Sequence, residues 1–108
     1  MGLNEYQELA KRTHTTKLSE KETFANYALG LNGEAGEVAD MLKKGMFHGH
    51  EMNRHEIAKE LGDVLWYVSL LAHLLDFSLD EIATMNIQKL MARYPDGFDE
   101  VRSVNRND

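Results

Sequence analysis

Two acidic pairs are the residues of this chain whose spacing could do chemistry: Glu34-Ala35-Gly36-Glu37 and, after an interval of 22 residues, Glu60-Leu61-Gly62-Asp63. Each pair has i, i+3 spacing, which on an α-helix sets both carboxylates on one face about a turn apart. Antiparallel pairing of two such helices brings four carboxylates together, and Leu31, Val38, Leu61 and Val64 beside them favour an orientation into the helix–helix seam. Four unpaired acids there repel one another and resist losing water. Hard divalent cations with all-oxygen shells are the natural counter-ions, Mg²⁺ first and Mn²⁺ as its substitute. Gly30, Gly33 and Gly36 recur every third residue around the first pair, and Gly62 lies inside the second. Each costs about 1 kcal/mol relative to alanine in a helix interior. Such costs beside the acids point to a need for room, either for close helix approach or for a ligand. Either pair alone reads as a solvated helix face; both together, with glycines and apolar flanks, do not.

Positioning these acids takes long helices, and the rest of the sequence supplies them. Pro95 is the single proline, β-branched alternating runs are absent, and apolar residues recur at three- and four-residue spacing. A first helix is expected over about Asn4 to His14, with Tyr6, Leu9 and Ala10 on one stripe. Ser19-Glu20-Lys21-Glu22 has the form of a capping box and opens a second helix that runs through Phe24, Ala28, Leu31, Ala35, Val38 and Leu42. Lys43 and Lys44 suit its last turn and Gly45 its stop, so 45–52 reads as a loop. Asn53-Arg54-His55-Glu56 repeats the box and opens a third helix to about Leu75; Ser78-Leu79-Asp80-Glu81 opens a fourth, ending near Arg93 before Tyr94-Pro95-Asp96-Gly97. The polar tail, about 102–108, is expected to fray.

Between Val64 and Leu75 the third helix is apolar nearly all round, more than one neighbour could cover. The expected fold is therefore all-α, a four-helix bundle-like chain of one domain, 1–108, that completes its core by homo-oligomerisation with the third helices shared. At 108 residues, 43% apolar and 28% charged, the chain has the make-up of one globular domain. Its net charge of −6 argues against binding a nucleic-acid polymer or anionic lipid. Cysteine is absent, which excludes disulfides, thiolate zinc sites and cysteine nucleophiles and suits a cytoplasmic location. The N-terminus does not read as a signal peptide, and the apolar stretch of the third helix is too short for a bilayer span.

These residues resemble the MazG-like all-α nucleotide pyrophosphohydrolases, whose mark is E-x-x-E, a spacer, then E-x-x-D. Glu60-Leu61-Gly62-Asp63-Val64-Leu65-Trp66-Tyr67 is similar to the family's third-helix signature. Asn86-Ile87-Gln88-Lys89-Leu90, followed by Arg93-Tyr94-Pro95-Asp96-Gly97-Phe98, is similar to its closing helix and turn. The resemblance covers roughly 29–98; the first helix and the tail carry no mark of it. It implies a homodimer or homotetramer that hydrolyses nucleoside triphosphates between the α and β phosphates to monophosphate and pyrophosphate with Mg²⁺. Glu34, Glu37, Glu60 and Asp63 are then the metal ligands, and one of the glutamates doubles as the base that orients the attacking water. Asn86 and Lys89 become substrate contacts. Arg93, at i+4 from Lys89, can present a second cation to the leaving pyrophosphate, and Tyr67, one turn after Asp63, can touch the sugar or base. Trp66 reads as structural.

His48, His50 and His55 lie in or beside a glycine-flanked loop, a poor basis for a fixed zinc shell. A di-iron bundle would carry E-x-x-H motifs, and the chain has none. Two alternatives remain: the phosphoribosyl-ATP pyrophosphohydrolase of histidine synthesis, which shares the acidic framework, and a non-catalytic helical dimerisation module with the acids as surface decoration. The RYPDGF ending looks more like the nucleotide-pool members.

Overall fold

Ser19, Asn53 and Ser78 each start a helix, and the chain is organised by what happens between those starts. The computed structural model describes residues 1–14 and 17–105. Helix α1 spans Leu3–Ala10 and tightens into a 3₁₀ turn, Lys11–Thr13; α2 spans Glu20–Phe47, α3 Arg54–Leu74, α4 Leu79–Arg93 and α5 Glu100–Val104. The described residues hold helices and no named strand. At the head of α2 the Glu22 amide donates to Ser19 Oγ while the Ser19 amide donates to Glu22, and Ser78 and Glu81 do the same for α4. At the head of α3 only half of the box forms. Asn53 Oδ1 accepts from the Glu56 amide, but the Glu56 carboxylate turns to Lys59 at 3.5 Å instead of reaching back.

Other boundaries differ from expectation for local reasons. The first α-helix ends at Ala10, because Lys11–Thr13 winds tighter and Thr13 Oγ1 donates to the Ala10 carbonyl. Gly45 does not stop α2, which continues to Phe47; His48 caps it, and Gly49, at φ +72°, makes the left-handed turn that ends it. Gly45 instead lets the Met52 side chain lie close to the helix backbone. Part of the tail is ordered as α5, nucleated by Asp99 Oδ1 accepting from the Val101 and Arg102 amides. The remainder of the expected fraying, 106–108, lies outside the described residues.

Helices α2 and α3 pack antiparallel along their length, and α1 lies across α3 and the start of α4. The core is small: Ala10, Tyr27 and Leu70, with Tyr6, Trp66, Tyr67, Leu71 and Leu74 against them. Leu70 and Ser69 are fully buried, so α3 is central within one chain; its apolar belt is met by α1 and α2, with Leu61, Leu65 and Leu75 left exposed. On α1 the buried positions are Gln7 and Ala10, with Tyr6 half-buried, while Leu9 faces solvent. Gln7 is a clamp. Its Nε2 donates to the carbonyls of Ser69 (3.0 Å) and Phe77 (3.1 Å), and its Oε1 accepts from the Leu79 amide. Asn4 Oδ1 accepts from the Asp80 amide, so α1 supplies two of the partners that the first turn of α4 needs.

The chain is extended for its size. Its Cα radius of gyration is 16.9 Å, against about 13 Å for a compact domain of this length. Its accessible surface is 8096 Å², against about 6,100 Å² for a compact monomer of this mass. Exposed apolar side chains lie on α4 and beyond, where Ile87, Met91, Phe98, Val101 and Val104 are each more than half exposed, and also on α2, at Leu29, Met46 and Phe47.

Candidate metal centre

The antiparallel pairing of α2 and α3 does to the acids what their spacing foretells for three of the four. Carboxylate oxygens of Glu34, Glu37 and Glu60 lie within 4.8 Å of one another. Glu34 and Glu60 are half-buried, and one oxygen of each is occluded from water with no hydrogen-bond partner. A buried carboxylate oxygen without a donor is costly to keep, and a cation is the partner that removes the cost for several oxygens at once. The donor set, all carboxylate oxygen from two rigid helices, fits a hard divalent ion.

The electrostatics point the same way. The Glu60 carboxyl is held above its ordinary value, first because a protonated Glu60 shares its proton with Glu34, then by partial desolvation and the charges of Glu34 and Asp63; hydrogen bonding with Glu37 opposes the shift. Asp63 stands apart from the three. It is exposed, one turn further along α3, and its side chain is a methylene shorter than a glutamate's, but its charge reaches the cluster through Glu60. It also reaches Tyr6 on α1, whose phenol is pushed up by burial and then by that carboxylate. Leu61 is 53% exposed and so does not seal the acids from solvent, whereas Leu31, Val38 and Val64 are half-buried.

Tyr67 is half-buried one turn beyond Asp63, its ring edge-on to Trp66 at 4.9 Å and to Tyr27 at 6.1 Å. Trp66 is structural: its indole N–H donates to Thr13 Oγ1 at 2.7 Å and its ring packs on the core. The substrate-contact candidates of α4 are placed differently. Asn86 and Lys89 are exposed, Arg93 is half-buried with its guanidinium 5.8 Å from the centre of the Tyr94 ring, and α4 packs on α1 and the end of α3 rather than on the acid-bearing stretch of α2. Among the described residues no hydrogen bond or ion pair joins Asn86 or Lys89 to the acids. Lys44, at the end of α2, pairs with Asp40 at 2.9 Å. The sequence offered no sign that the Asp63 charge would be felt at Tyr6, since the packing of helices so distant in the chain leaves no local pattern.

Fold and site define a class: an all-helical protein whose two longest helices hold a carboxylate cluster able to take up a metal ion. Residues 22–98 match the model of the MazG nucleotide pyrophosphohydrolase domain, and the chain belongs to that family. It is also similar to the Gene 37 protein of Mycobacterium phage L5, with 37% identity over 89 residues, covering 79% of this chain and 78% of that protein. That name states no activity. No solved structure matches. Helix α1, which carries the clamp residues Gln7 and Asn4, precedes the matched region.

Proposed function

We propose that the chain hydrolyses nucleoside or deoxynucleoside triphosphates between the α and β phosphates, giving nucleoside monophosphate and pyrophosphate, with Mg²⁺ and with Mn²⁺ as a substitute. The observation that carries this reading is the pair of occluded, unpartnered oxygens on Glu34 and Glu60 inside a three-carboxylate cluster, in a chain of the MazG family. Glu34, Glu37 and Glu60 would hold the ion, with Asp63, one turn along α3, as the fourth ligand. When bound, a divalent cation neutralises the acids, offsets polyphosphate charge and lowers the pKa of water. The chain's own residues do the rest. A glutamate oxygen of the cluster accepts the proton of the attacking water, and the rigid α2–α3 seam fixes its direction. Tyr67 stands beside Asp63 as the wall against which the sugar or base rests.

The leaving pyrophosphate needs cations, and Lys89 and Arg93, with the neutral Asn86 on the same helix, stand on an α4 that this chain leaves largely uncovered. The reading therefore includes a homodimer or homotetramer. A single chain exposes roughly 2,000 Å² more than a compact monomer would, an area of the size that a stable subunit interface removes. Ile87, Leu90, Met91, Tyr94, Gly97 and Phe98 line an apolar groove of about 370 Å³ on α4 and the following turn. Of the described helices none is long and apolar enough to cross a membrane, and a substrate of the nucleotide pool suits work in the cytoplasm. The test is a panel of ATP, GTP, CTP, UTP and their deoxy counterparts with Mg²⁺ and with chelator, both products being quantified. Equimolar monophosphate and pyrophosphate, lost in chelator, is the expected result; no hydrolysis of any of the eight would refute the assignment.

A further inference from the structure

The glycines of α2 and α3 do not share one task. A Cβ built on Gly33, Gly36 or Gly62 meets nothing within 4 Å. A Cβ on Gly30 would stand 2.7 Å from the Tyr67 hydroxyl oxygen and closer still to ring atoms Cε1 and Cζ, deep inside van der Waals contact. The Tyr67 ring thus lies directly on the bare backbone of α2, with Trp66 edge-on at 4.9 Å and Tyr27 at 6.1 Å. Gly30 precedes Glu34 by four residues and Tyr67 follows Asp63 by four, so this contact is the next rung of the seam that holds the acids.

We propose that Gly30 is a positioning residue: by leaving space for the Tyr67 ring on α2, it fixes the pocket wall beside the acidic cluster and so sets how tightly the nucleotide is held. The inference rests on the reaction assigned above for its kinetic consequence, but not for its geometric one. In a helix interior alanine is ordinarily the better residue, so glycine here runs against local preference. With a methyl at position 30 the phenol must leave α2, because the obstacle is backbone-anchored on one side and a rigid ring on the other. The acids, a turn away, keep their own backbone positions, so substrate binding changes while ion binding does not.

The experiment compares the wild type with Gly30→Ala, Tyr67→Ala and the double variant. Trp66 is the single tryptophan of the chain and touches the Tyr67 ring, so its emission reports the ring's position without reference to activity. Gly30→Ala should shift that emission and raise KM by about three- to tenfold, the range of one aromatic contact, with kcat within about twofold and Mn²⁺ binding unchanged. On the Tyr67→Ala background the same substitution should change neither emission nor KM, and should raise the melting temperature, since only helix preference then remains. A folded Gly30→Ala protein with wild-type emission and KM overturns the proposal, as does an effect that persists on the Tyr67→Ala background. If Gly30→Ala does not fold, recovery of the fold in the double variant supports the proposal and continued unfolding overturns it. Should the wild type hydrolyse none of the eight triphosphates while the emission shift and its cancellation hold, the seat of Tyr67 is supported and the assigned reaction is what fails.

Discussion

Gln7→Ala offers the sharpest test of how the fold positions α4. The side chain is 5% exposed and makes three hydrogen bonds, to the Ser69 and Phe77 carbonyls and from the Leu79 amide. A neutral hydrogen bond contributes about 1 kcal/mol net, while a buried donor left without a partner costs about 1–3 kcal/mol. The two carbonyls lose one donor each and the Leu79 amide, at the first residue of α4, loses its acceptor. The expected loss is roughly 3 kcal/mol, a large part of the 5–15 kcal/mol typical of a domain. Asn4→Ala is the control: its bond to the Asp80 amide is solvent-exposed, and the cost should stay near about 0.5–1 kcal/mol. Urea unfolding followed by far-UV circular dichroism at fixed protein concentration measures both. A loss below about 1 kcal/mol for Gln7→Ala, or equal losses for the two variants, would refute the clamp.

Four further outcomes follow from the site and the surface. Glu37→Gln and Asp63→Asn should lower kcat/KM by about 100-fold or more, as expected when a cation's contribution of several kcal/mol is lost at 1.4 kcal/mol per tenfold, while chelated protein melts no lower than wild type; initial rates and calorimetry check this. Mg²⁺ at about 100 times its Kd should stabilise the wild type by about 2.7 kcal/mol in denaturant titrations and Glu60→Gln by much less. The Glu60 carboxyl is raised in the folded protein, so its contribution to stability is present in full below the ordinary value of 4.5 and is lost as pH climbs through the raised one. In chelator, the stability of Glu60→Gln relative to wild type should therefore increase as pH rises above that point, and parallel pH profiles would contradict the cause assigned. Ile87→Asp, on the exposed α4 groove, should reduce the sedimenting mass and leave the helices intact, whereas Leu71→Asp, against the core, should unfold the chain.

What could be read from residues alone was whatever is written locally. Ser19-Glu22 and Ser78-Glu81 announce their helices because the capping box is a four-residue device, and both form as expected. The i, i+3 acids on α2 and α3 were legible for the same reason, since helical periodicity fixes their faces before any packing is known. Gly45 misled because a glycine stops a helix only when something else does not hold it, and the contact with Met52 is not a local fact. Gln7 is a polar residue on an otherwise apolar stripe; its burial depends on the Ser69 and Phe77 carbonyls, far along the chain. The split between Asp63 and the three glutamates likewise depends on side-chain reach across the seam, which spacing does not encode. Lys89 and Arg93 share a helix face as expected, but which acids that face serves depends on how α4 is covered.

If the acidic seam of α2 and α3 directs water onto a triphosphate between its α and β phosphorus atoms, as proposed, the oxygen of that water must end in one of the two products. Hydrolysis of the preferred triphosphate in ¹⁸O-labelled water with Mg²⁺, followed by mass spectrometry of early products, follows that oxygen. One labelled oxygen is expected in the nucleoside monophosphate or in the pyrophosphate, with the two products equimolar and forming at least about 100-fold more slowly with Glu37→Gln. Label appearing in orthophosphate, with nucleoside diphosphate as its partner, would contradict the proposed cleavage.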